Sequence, residues 1–422
     1  MAKLLALLAA FGLAGSAATS AAPTFYRDVL PILQAHCQTC HRPGEVAPMP
    51  LMDYPGVRPW ASAIRQATLL RQMPPWFADP TFGHFANNRS LAETDIRTIS
   101  DWVSAGAPEG DRADAPPPRH WIDGWTIGKP EIVLQMPVAF QIPASGVLPY
   151  HYVIVPTHFQ KDTWVRLAEV RAGDRVHTHH IVVSVREPGS HWLANEPVGT
   201  PFVLGPRSAG GGVPGEFLAG YGPGALPETF APGEAKLIKA GSDLVFQLHY
   251  TPNGTAGSDR SRIGLILDHQ PPQKRVLMAA AANIHFLIPP GESNYRVDAS
   301  LTLQHDSRLV SLLPHMHLRG KSFEFRVRYP NGREEILLQV PHYSYNWQLS
   351  YYLEKPLDLP AGTVVECTAY FDNSVNNPLN PDPGKAVRFG PQSWDEMMIG
   401  YFEVAVDLDV NLRGLLLKGP SS

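Results

Sequence analysis

The chain has few cysteines, no excess charge of either sign and no long apolar run after its first residues. Only three of its 422 residues are cysteine, too few for the disulfide framework of a small secreted scaffold. Its formal charge of −4 comes from interspersed acidic and basic residues, so we expect no binding to nucleic acid or anionic lipid. No segment reaches the roughly 20 apolar residues of a membrane span, so we expect none.

Proline and glycine, by contrast, are frequent. The 42 prolines and 35 glycines accompany an ordinary apolar fraction of 44%, which is typical of many short strands and turns and does not imply disorder. A length of 422 residues suggests about three domains at roughly 150 residues each. We therefore expect a multidomain protein that is largely β.

The first 22 residues have the build of a secretory signal peptide. A single lysine precedes a short apolar run, which ends in small residues with an A-x-A-like site near Ala21 or Ala22. The run turns polar after Gly15, which argues against a membrane anchor. We expect an exported protein, most simply one of a bacterial periplasm.

The motif CQTCH combines Cys37, Cys40 and His41. This spacing lets two thiols form thioether bonds to a haem while the adjacent histidine ligates its iron. A zinc site would need two further Cys or His residues at matched spacing, and the stretch that follows supplies none. The motif therefore predicts a covalently bound haem c and disfavours zinc or a redox dithiol.

Three segments around this motif have helical spacing of apolar residues. They are TFYRDVLPILQAHC, PWASAIRQATLLRQ and SLAETDIRTISDWVSAG, of which the last is predicted to begin at a Ser cap and to stop at Gly106. Residues 23–110 are thus predicted to form a small all-α cytochrome c domain. The sixth iron ligand should be a methionine, with Met49, Met52 and Met73 as candidates. Met73 is preferred because two prolines follow it and would stiffen its loop.

A Pro-rich linker, residues 111–120, separates this unit from a long β region. Short apolar runs such as YHYVIVP, HHIVVSVRE, SDLVFQLHYT, FEFRVRYPNG and GTVVECTAYFDN alternate with Gly, Pro and Asn turns. This pattern predicts two all-β sandwich or jelly-roll domains of about 150 residues each, which we place at 121–272 and 273–415.

Histidines recur at strand positions in this region. HTHHIVVSV (177–185) opens a predicted strand with His179 and His180 adjacent, and adjacent strand residues face opposite sides. Both can therefore reach one ion only where a strand has just begun or carries a bulge. Simple clustering of polar residues at a strand end is the alternative. His249, in FQLHYTP, could complete a three-histidine site with this pair.

A second set of donors follows in PHMHLRG. His315 and His317 are two positions apart, so on a strand they point to one face and can chelate one ion, although such pairs also occur on surfaces without a metal. Met397 or its neighbour Met398 could supply a third ligand. Two imidazoles with one soft thioether favour copper, particularly Cu(I), over zinc.

The order HH, Q-x-H, H-x-H and D-E-M resembles the copper type II, ascorbate-dependent monooxygenases, the family of peptidylglycine α-hydroxylating monooxygenase and dopamine β-monooxygenase. The resemblance covers about residues 150–405 and implies paired jelly rolls. It implies that the three-histidine site, His179, His180 and His249, holds an electron-delivering copper. By the same resemblance, His315, His317 and Met397, here called the His–Met site, hold the copper that activates dioxygen.

Two further residues match the family and two positions depart from it. Gln247 and Tyr401 match positions near that family's reaction path. Animal members carry several disulfides, whereas Cys367 is alone here and is expected to be a buried thiol. Peptide-hydroxylating members place an arginine two residues before H-x-H to hold a substrate carboxylate, whereas this chain has Leu313. An uncharged or weakly polar small molecule therefore fits better as substrate than a peptide C-terminus.

The function that the resemblance implies is hydroxylation of a C–H bond with O₂, which consumes two external electrons per turnover. The expected cofactors are two copper ions, one covalent haem c and an external reductant, either ascorbate or a periplasmic redox protein. Two other hypotheses remain. A type 1 copper protein needs a Cys thiolate with two histidines, and Cys367 has no histidine within the following thirty residues. A non-catalytic electron-transfer protein would bind haem, with or without copper, on a β-sandwich scaffold whose histidines need not be catalytic.

Overall fold

The computed structural model describes residues 22–45, 47–122, 124–205, 215–410, 415 and 417–418. Residues 1–21, nearly all of the predicted signal peptide, lie outside the described residues. Strands dominate the structure after residue 130, and helices dominate before it. The β-rich architecture expected for the larger part of the chain is therefore present.

The helices whose bounds are described are short and lie in the N-terminal part of the chain. They are α1 (Leu30–His36), α2 (Tyr54–Val57), α3 (Ala61–Leu69) and α4 (Glu93–Ser104), with a π-helical turn at Phe25–Val29 and 3-10 turns at Arg58–Trp60 and Arg112–Asp114. Phe25, Leu33, Ile99 and Trp102 are fully buried in their shared core. Within the described ranges, no helix is long and apolar enough to cross a membrane.

The predicted Ser cap of α4 is wrong. The helix begins at Glu93 after Ala92, and the hydroxyl of Ser90 instead donates to Oδ1 of Asn88. A serine that is engaged in its own turn does not cap a helix, because its oxygen is not aimed at the first helical N–H groups. The predicted stop holds within two residues, and Gly106 has a φ of +87° after the end of the helix.

The strands fall into two groups along the chain. The first comprises β1 (Ile132–Gln135), β2 (Phe140–Ile142), β3 (His151–Pro156), β4 (Thr163–Arg171), β5 (Thr178–Arg186), β6 (Phe202–Val203), β7 (Glu216–Tyr221), β8 (Glu228–Thr229), β9 (Glu234–Ile238), β10 (Asp243–Tyr250), β11 (Gly257–Asp259) and β12 (Arg262–Asp268). The second comprises β13 (Lys274–Asn283), β14 (Leu287–Ile288), β15 (Tyr295–Thr302), β16 (Ser307–His315), β17 (Gly320–Arg328), β18 (Glu334–Val340), β19 (Tyr351–Leu359), β20 (Val364–Phe371), β21 (Val387–Arg388), β22 (Met398–Val406) and β23 (Leu417–Lys418).

Each group forms a sandwich around its own hydrophobic core. In the first β unit, strands in the order β6-β3-β10-β5-β7 face strands β1-β12-β4-β9. In the second β unit, strands in the order β18-β17-β20-β15-β23 face strands β13-β22-β16-β19. Alternating apolar residues of the facing sheets supply both cores, as expected for sandwiches.

The two units share one continuous sheet. A short parallel pairing of β9 with β13, Glu234 with Lys274 and Ala235 with Arg275, joins the two halves into a nine-stranded sheet. Buried charges lie at this junction, where Nζ of Lys236 is 2.7 Å from a carboxylate oxygen of Glu403. Because the two sandwiches share this sheet, the backbone pairing of β9 with β13 holds them together.

The helical unit is attached to both β units. Its segment 76–89 runs along β19, where backbone bonds join Ala86 N to Tyr352 O and Glu354 N to His84 O. Trp76 packs against Tyr351 of the same strand at 4.9 Å between ring centroids. Contacts from chain segments far apart in sequence therefore hold this unit in place, in addition to the linker.

Candidate metal centres

A β-bulge brings His179 and His180 to one place. Strands β5 and β10 are central neighbours, and their register pairs His249 with His180 and Tyr250 with Thr178. His179 therefore has no partner across the ladder. An extra residue of this kind re-aims the side chains around it, which removes the objection that adjacent strand residues face opposite sides.

The three histidines of the three-histidine site are close enough to share one ion. One nitrogen from each lies within 4.8 Å of the others, and Nδ1 of His179 is 3.1 Å from Nδ1 of His180. Two nitrogens that bind one ion at about 2.0 Å, at a tetrahedral angle, lie about 3.3 Å apart. The buried Nδ1 of His249 has no hydrogen-bond partner in the described part of the chain, a defect that a metal–nitrogen bond would remove.

Burial keeps these imidazoles neutral. It lowers the pKa of His249 to about 3, with a smaller contribution from His179, and it lowers the pKa of His180 well below its ordinary value. His315 and His317 of the second β unit also lower the pKa of His180. Neutral imidazoles are the form that binds metals.

In the His–Met site, strand geometry brings the two histidines together. His315 ends β16 and His317 follows it, and their ring centroids are 5.3 Å apart with planes at 88°. Burial lowers the pKa of His317 to about 3, and it also lowers the pKa of His315. The H-x-H spacing thus places two neutral imidazoles side by side.

Hydrogen bonds select the tautomers of both histidines. Nδ1 of His315 lies 2.7 Å from the amide oxygen of Gln348, and Nδ1 of His317 lies 3.3 Å from the backbone oxygen of Asp395. Because these oxygens only accept, each Nδ1 donates, and each Nε2 keeps a free lone pair. Outer partners of this kind orient metal-binding histidines in proteins.

The buried side chain of Glu396, whose pKa burial raises to about 8, fastens the third ligand candidate to this pair. Oε2 of Glu396 accepts from the backbone N–H of His317 at 2.9 Å and from that of Met397 at 3.2 Å. The β16–β22 register pairs His315 with Ile399, so its continuation places Met397 opposite His317. Met398 instead is fully buried in the core of the second β unit. Of the two methionines, Met397 is on the side of the histidines.

Three further residues of the predicted copper region are Tyr401, Gln247 and Cys367. The ring of Tyr401 lies 6.0 Å from that of His315, and burial raises the pKa of its phenol to about 12. Gln247 donates its amide to the hydroxyl of Tyr152 at 2.6 Å. Cys367 is buried in the core of the second β unit, and burial raises the pKa of its thiol far above the ordinary value. A thiol held protonated in this way is a poor ligand for a type 1 copper.

The haem-motif residues lie together at the end of α1. The backbone turns back on itself after Cys37, whose oxygen accepts from the N–H groups of Cys40 and His41, and both thiols are free. Nδ1 of His41 is 3.1 Å from the backbone oxygen of Met49, so Nδ1 donates and Nε2 keeps its lone pair. Two free thiols and an oriented imidazole in one turn fit the attachment of a haem c.

The candidates for the sixth iron ligand occupy different places. The backbone oxygen of Met49 accepts from Nδ1 of His41, the ring nitrogen opposite the Nε2 that would bind an iron. Met52 lines a cavity of about 370 Å³ below the prolines of the linker. Met73 is half-buried in the turn after α3, where its N–H donates to the oxygen of Ala67. The position of Met49 favours another methionine for the face opposite His41.

The loop after the haem motif contacts the first β unit close to the three-histidine site. Arg175, four residues before His179, donates to the backbone oxygen of Gly44 at 3.0 Å and forms a salt bridge with Glu45. Arg89 of the helical unit makes a second contact with the first β unit, because it donates to the oxygen of Gly224. The haem motif therefore lies against the segment that leads into β5.

Several residues around the donor sets have no signature in the sequence. Gln348 and Tyr345 belong to a loop between β18 and β19, and Glu396 was visible only as part of the D-E-M motif. A glutamine or tyrosine in a loop has no spacing relation to a histidine that is distant along the chain. Only the three-dimensional contacts identify these residues.

Comparisons with known proteins give no family. No protein-family model matches the chain, and no curated protein matches it. Among solved structures, a crystal structure of the STIV MCP has a TM-score of 0.27 at 10% identity and covers 66% of this chain and 95% of its own. A structure of infectious bursal disease virus, Gx strain, has a TM-score of 0.19 at 7% identity. That match covers 68% of this chain and 74% of the viral chain. TM-scores this low support no inference about fold or function.

Proposed function

We propose that this chain is an exported dicopper monooxygenase with a fused c-type haem unit, which hydroxylates a C–H bond of a small molecule with O₂. The observation that carries the proposal is the pairing of two donor sets of different chemistry on facing β units. One set offers three nitrogens, and the other offers two nitrogens beside a methionine. In the copper type II monooxygenases, which the sequence resembles, the two coppers have such different sets of ligands.

The chain's residues fit bound copper at both places. The imidazoles are neutral, their donors converge, and the thioether candidate favours copper over zinc. Bound copper supplies one-electron chemistry with dioxygen, and a bound haem supplies stored electrons. The overall reaction takes R–H, O₂, two electrons and two protons to R–OH and water.

Individual residues have separate tasks in this proposal. Gln348 and the oxygen of Asp395 hold the His–Met imidazoles in the orientation that presents Nε2. Glu396 holds the backbone of His317 and Met397 in register. Tyr401, partly buried beside His315, keeps its proton and would lie next to the bound copper. Leu313 offers no charge to a substrate carboxylate, so an uncharged or weakly polar substrate fits.

The N-terminal unit is proposed to be the cytochrome c domain, residues 23–110, followed by the linker at 111–120. Cys37 and Cys40 would hold the haem covalently, with His41 and Met73 as axial ligands. The copper-bearing domains would be residues 121–272 and 273–415. The unit's contact with the start of β5 supports electron delivery from haem to the three-histidine site. A periplasmic redox protein or ascorbate would reduce the haem.

The test is metal and haem stoichiometry on protein matured with ample copper. We expect one haem and two coppers per chain. His179→Ala and Met397→Ala should each weaken a different copper, whereas His285→Ala, at an exposed histidine, should change neither. Met397→Leu keeps the apolar volume but lacks sulfur, so it should weaken copper like Met397→Ala. Full zinc occupancy, or unchanged metal in all variants, would overturn the proposal.

A further inference from the structure

The ring of Tyr345 contacts one histidine from each donor set. It stacks on His179 with centroids 5.6 Å apart and planes at 16°, and it lies edge-on to His317 at 6.2 Å and 86°. Both arrangements are among the preferred geometries of aromatic pairs. Among the ring contacts of the described residues, no other ring joins the two sets in this way.

Tyr345 is buried between the two donor sets. The residue is 8% exposed, and the hydroxyls of Tyr150 and Ser393 lie near its own. Burial keeps water away from the two ring contacts, which are therefore made directly between side chains.

The loop that carries Tyr345 also fastens the His–Met site. Gln348, which orients His315, donates its amide N–H to the backbone oxygen of Tyr345 at 3.2 Å. The hydroxyl of Tyr343 both donates to the oxygen and accepts from the N–H of Met316, between the two histidines. The position of the Tyr345 ring is thus fixed relative to His315 and His317.

We infer that Tyr345 is the residue through which an electron passes from the three-histidine site to the His–Met site, an inference that rests on the proposed function. In this step a copper ion at the three-histidine site loses one electron and a Cu(II) ion at the His–Met site gains it. No bond breaks and no proton moves. The electron comes first from the haem iron or from an external reductant such as ascorbate.

The ring contacts, and not the exposure of the ligands, support an internal path. His179, His180, His249, His315 and Met397 are all partly exposed, and His317 is 1% exposed. Because imidazoles of both sites contact one ring, the route through Tyr345 needs no solvent-filled gap to be crossed.

The experiment follows the reduction of each copper by freeze-quench electron paramagnetic resonance after oxidised, copper-loaded protein is mixed with ascorbate. His179→Ala and Met397→Ala, which each keep one copper, assign the two Cu(II) signals. In Tyr345→Leu the His–Met signal should disappear about tenfold more slowly than in the wild type, while the three-histidine signal keeps its rate. Tyr345→Phe keeps the ring and should stay within about twofold of the wild type. Tyr370→Leu is the control, because Tyr370 lies on β20 in the five-stranded sheet of the second β unit, here called the outer sheet.

Copper stoichiometry is measured on every variant, so that the loss of a copper site is distinguished from slower electron transfer. Two coppers reduced at wild-type rates in Tyr345→Leu would overturn this inference and leave the proposed function intact. Loss of copper from Tyr345→Leu, with Tyr345→Phe also slow, would overturn it in favour of a purely structural role. A wild-type chain that binds no copper would overturn the proposed function and this inference together.

Discussion

Arg175 forms a salt bridge with Glu45 and thereby joins the loop after the haem motif to the segment that leads into His179 and His180. Both side chains are mostly buried, with exposed fractions of 17% and 24%. Glu45 is also bound by Arg42 from its own loop. Two cations therefore hold one carboxylate at the contact between the helical unit and the first β unit.

The first prediction concerns electron delivery across this contact. With the haem pre-reduced and the protein mixed with O₂ and a trial substrate, copper-loaded wild type should reoxidise its haem rapidly. Arg175→Met should slow this step by about fivefold, because one partly buried ion pair contributes about 1 kcal/mol to holding the units together. Stopped-flow absorbance of the haem measures the rate.

Copper-free protein and His249→Ala should both be slow in the same experiment, since each lacks the acceptor. Arg328→Met removes a comparable ion pair, with Glu366, on the outer sheet and should leave the rate unchanged. Equal reoxidation in wild type, copper-free protein and His249→Ala would show that the haem does not feed the copper sites.

The second prediction concerns the haem iron. Met73→Ala should abolish the Met-to-iron charge-transfer band and lower the reduction potential, because a thioether ligand raises the potential of a haem. Met49→Ala should leave the band in place, since the backbone oxygen of Met49 accepts from Nδ1 of His41, opposite the Nε2 that would bind an iron. Absorbance near the red end of the visible spectrum and a redox titration measure both effects. Loss of the band in Met49→Ala alone would assign the ligand to Met49 instead.

The third prediction concerns Glu396, whose two oxygens accept from the backbone N–H groups of His317, Arg319 and Met397. Glu396→Ala leaves three N–H groups without this acceptor, so the free energy of unfolding should fall by about 3 kcal/mol or more. Copper affinity of the His–Met site should fall by about 10- to 100-fold, as for other outer partners of metal ligands. Chelator titration and denaturant unfolding measure the two effects.

The control for Glu396→Ala is Glu366→Gln on the outer sheet. The Glu366 side chain is 32% exposed, and it pairs with Arg328. It should change neither copper affinity nor stability by more than about 0.5 kcal/mol. If Glu396→Ala released both coppers equally, the carboxylate would support the whole interface and not the His–Met site in particular.

The fourth prediction concerns pH and the buried charges where the two β units meet. Burial, reinforced by the nearby Glu403, raises the pKa of Glu228 to about 8 in the folded protein, while Lys236 lowers it less. A raised carboxyl pKa means that the folded chain holds a proton that the unfolded chain has already lost. The contribution of Glu228 to the stability of the folded state is complete below the ordinary glutamate pKa of 4.5. It disappears as the pH rises through about 8.

Between these values, the free energy of unfolding should fall by up to about 1.4 kcal/mol per pH unit from this group. Urea unfolding of wild type and Glu228→Gln at several pH values between 5 and 8 isolates the contribution. The glutamine variant should show a shallower decline, because its amide does not titrate. Parallel curves for the two proteins would contradict the raised pKa.

Some features follow from the sequence because the relation between residues is local. The CQTCH spacing places two thiols and an imidazole within one turn, and the H-x-H spacing places His315 and His317 side by side. Helices α1, α3 and α4 and most long strands lie where apolar periodicity predicts them. The strand β13, which contains four consecutive alanines, was not predicted, because alanine does not favour a strand and pairing with β22 decides its conformation.

Other features depend on contacts between residues far apart in the chain. From the sequence, His179 and His180 could share a site only at a bulge or at the start of a strand. In the structure β5 starts one residue before His179, and the bulge lies at His179 itself. The pairing of β5 with β10 sets this bulge. The shared nine-stranded sheet, the tautomers held by Gln348 and Asp395, and the placement of Tyr345 between two histidines have no local signature. The sequence by itself determined which donor atoms are present and which neighbours along the chain share a face. Only the tertiary structure decided which donors meet across the β units, because strand register and loop packing depend on long-range burial and hydrogen bonding.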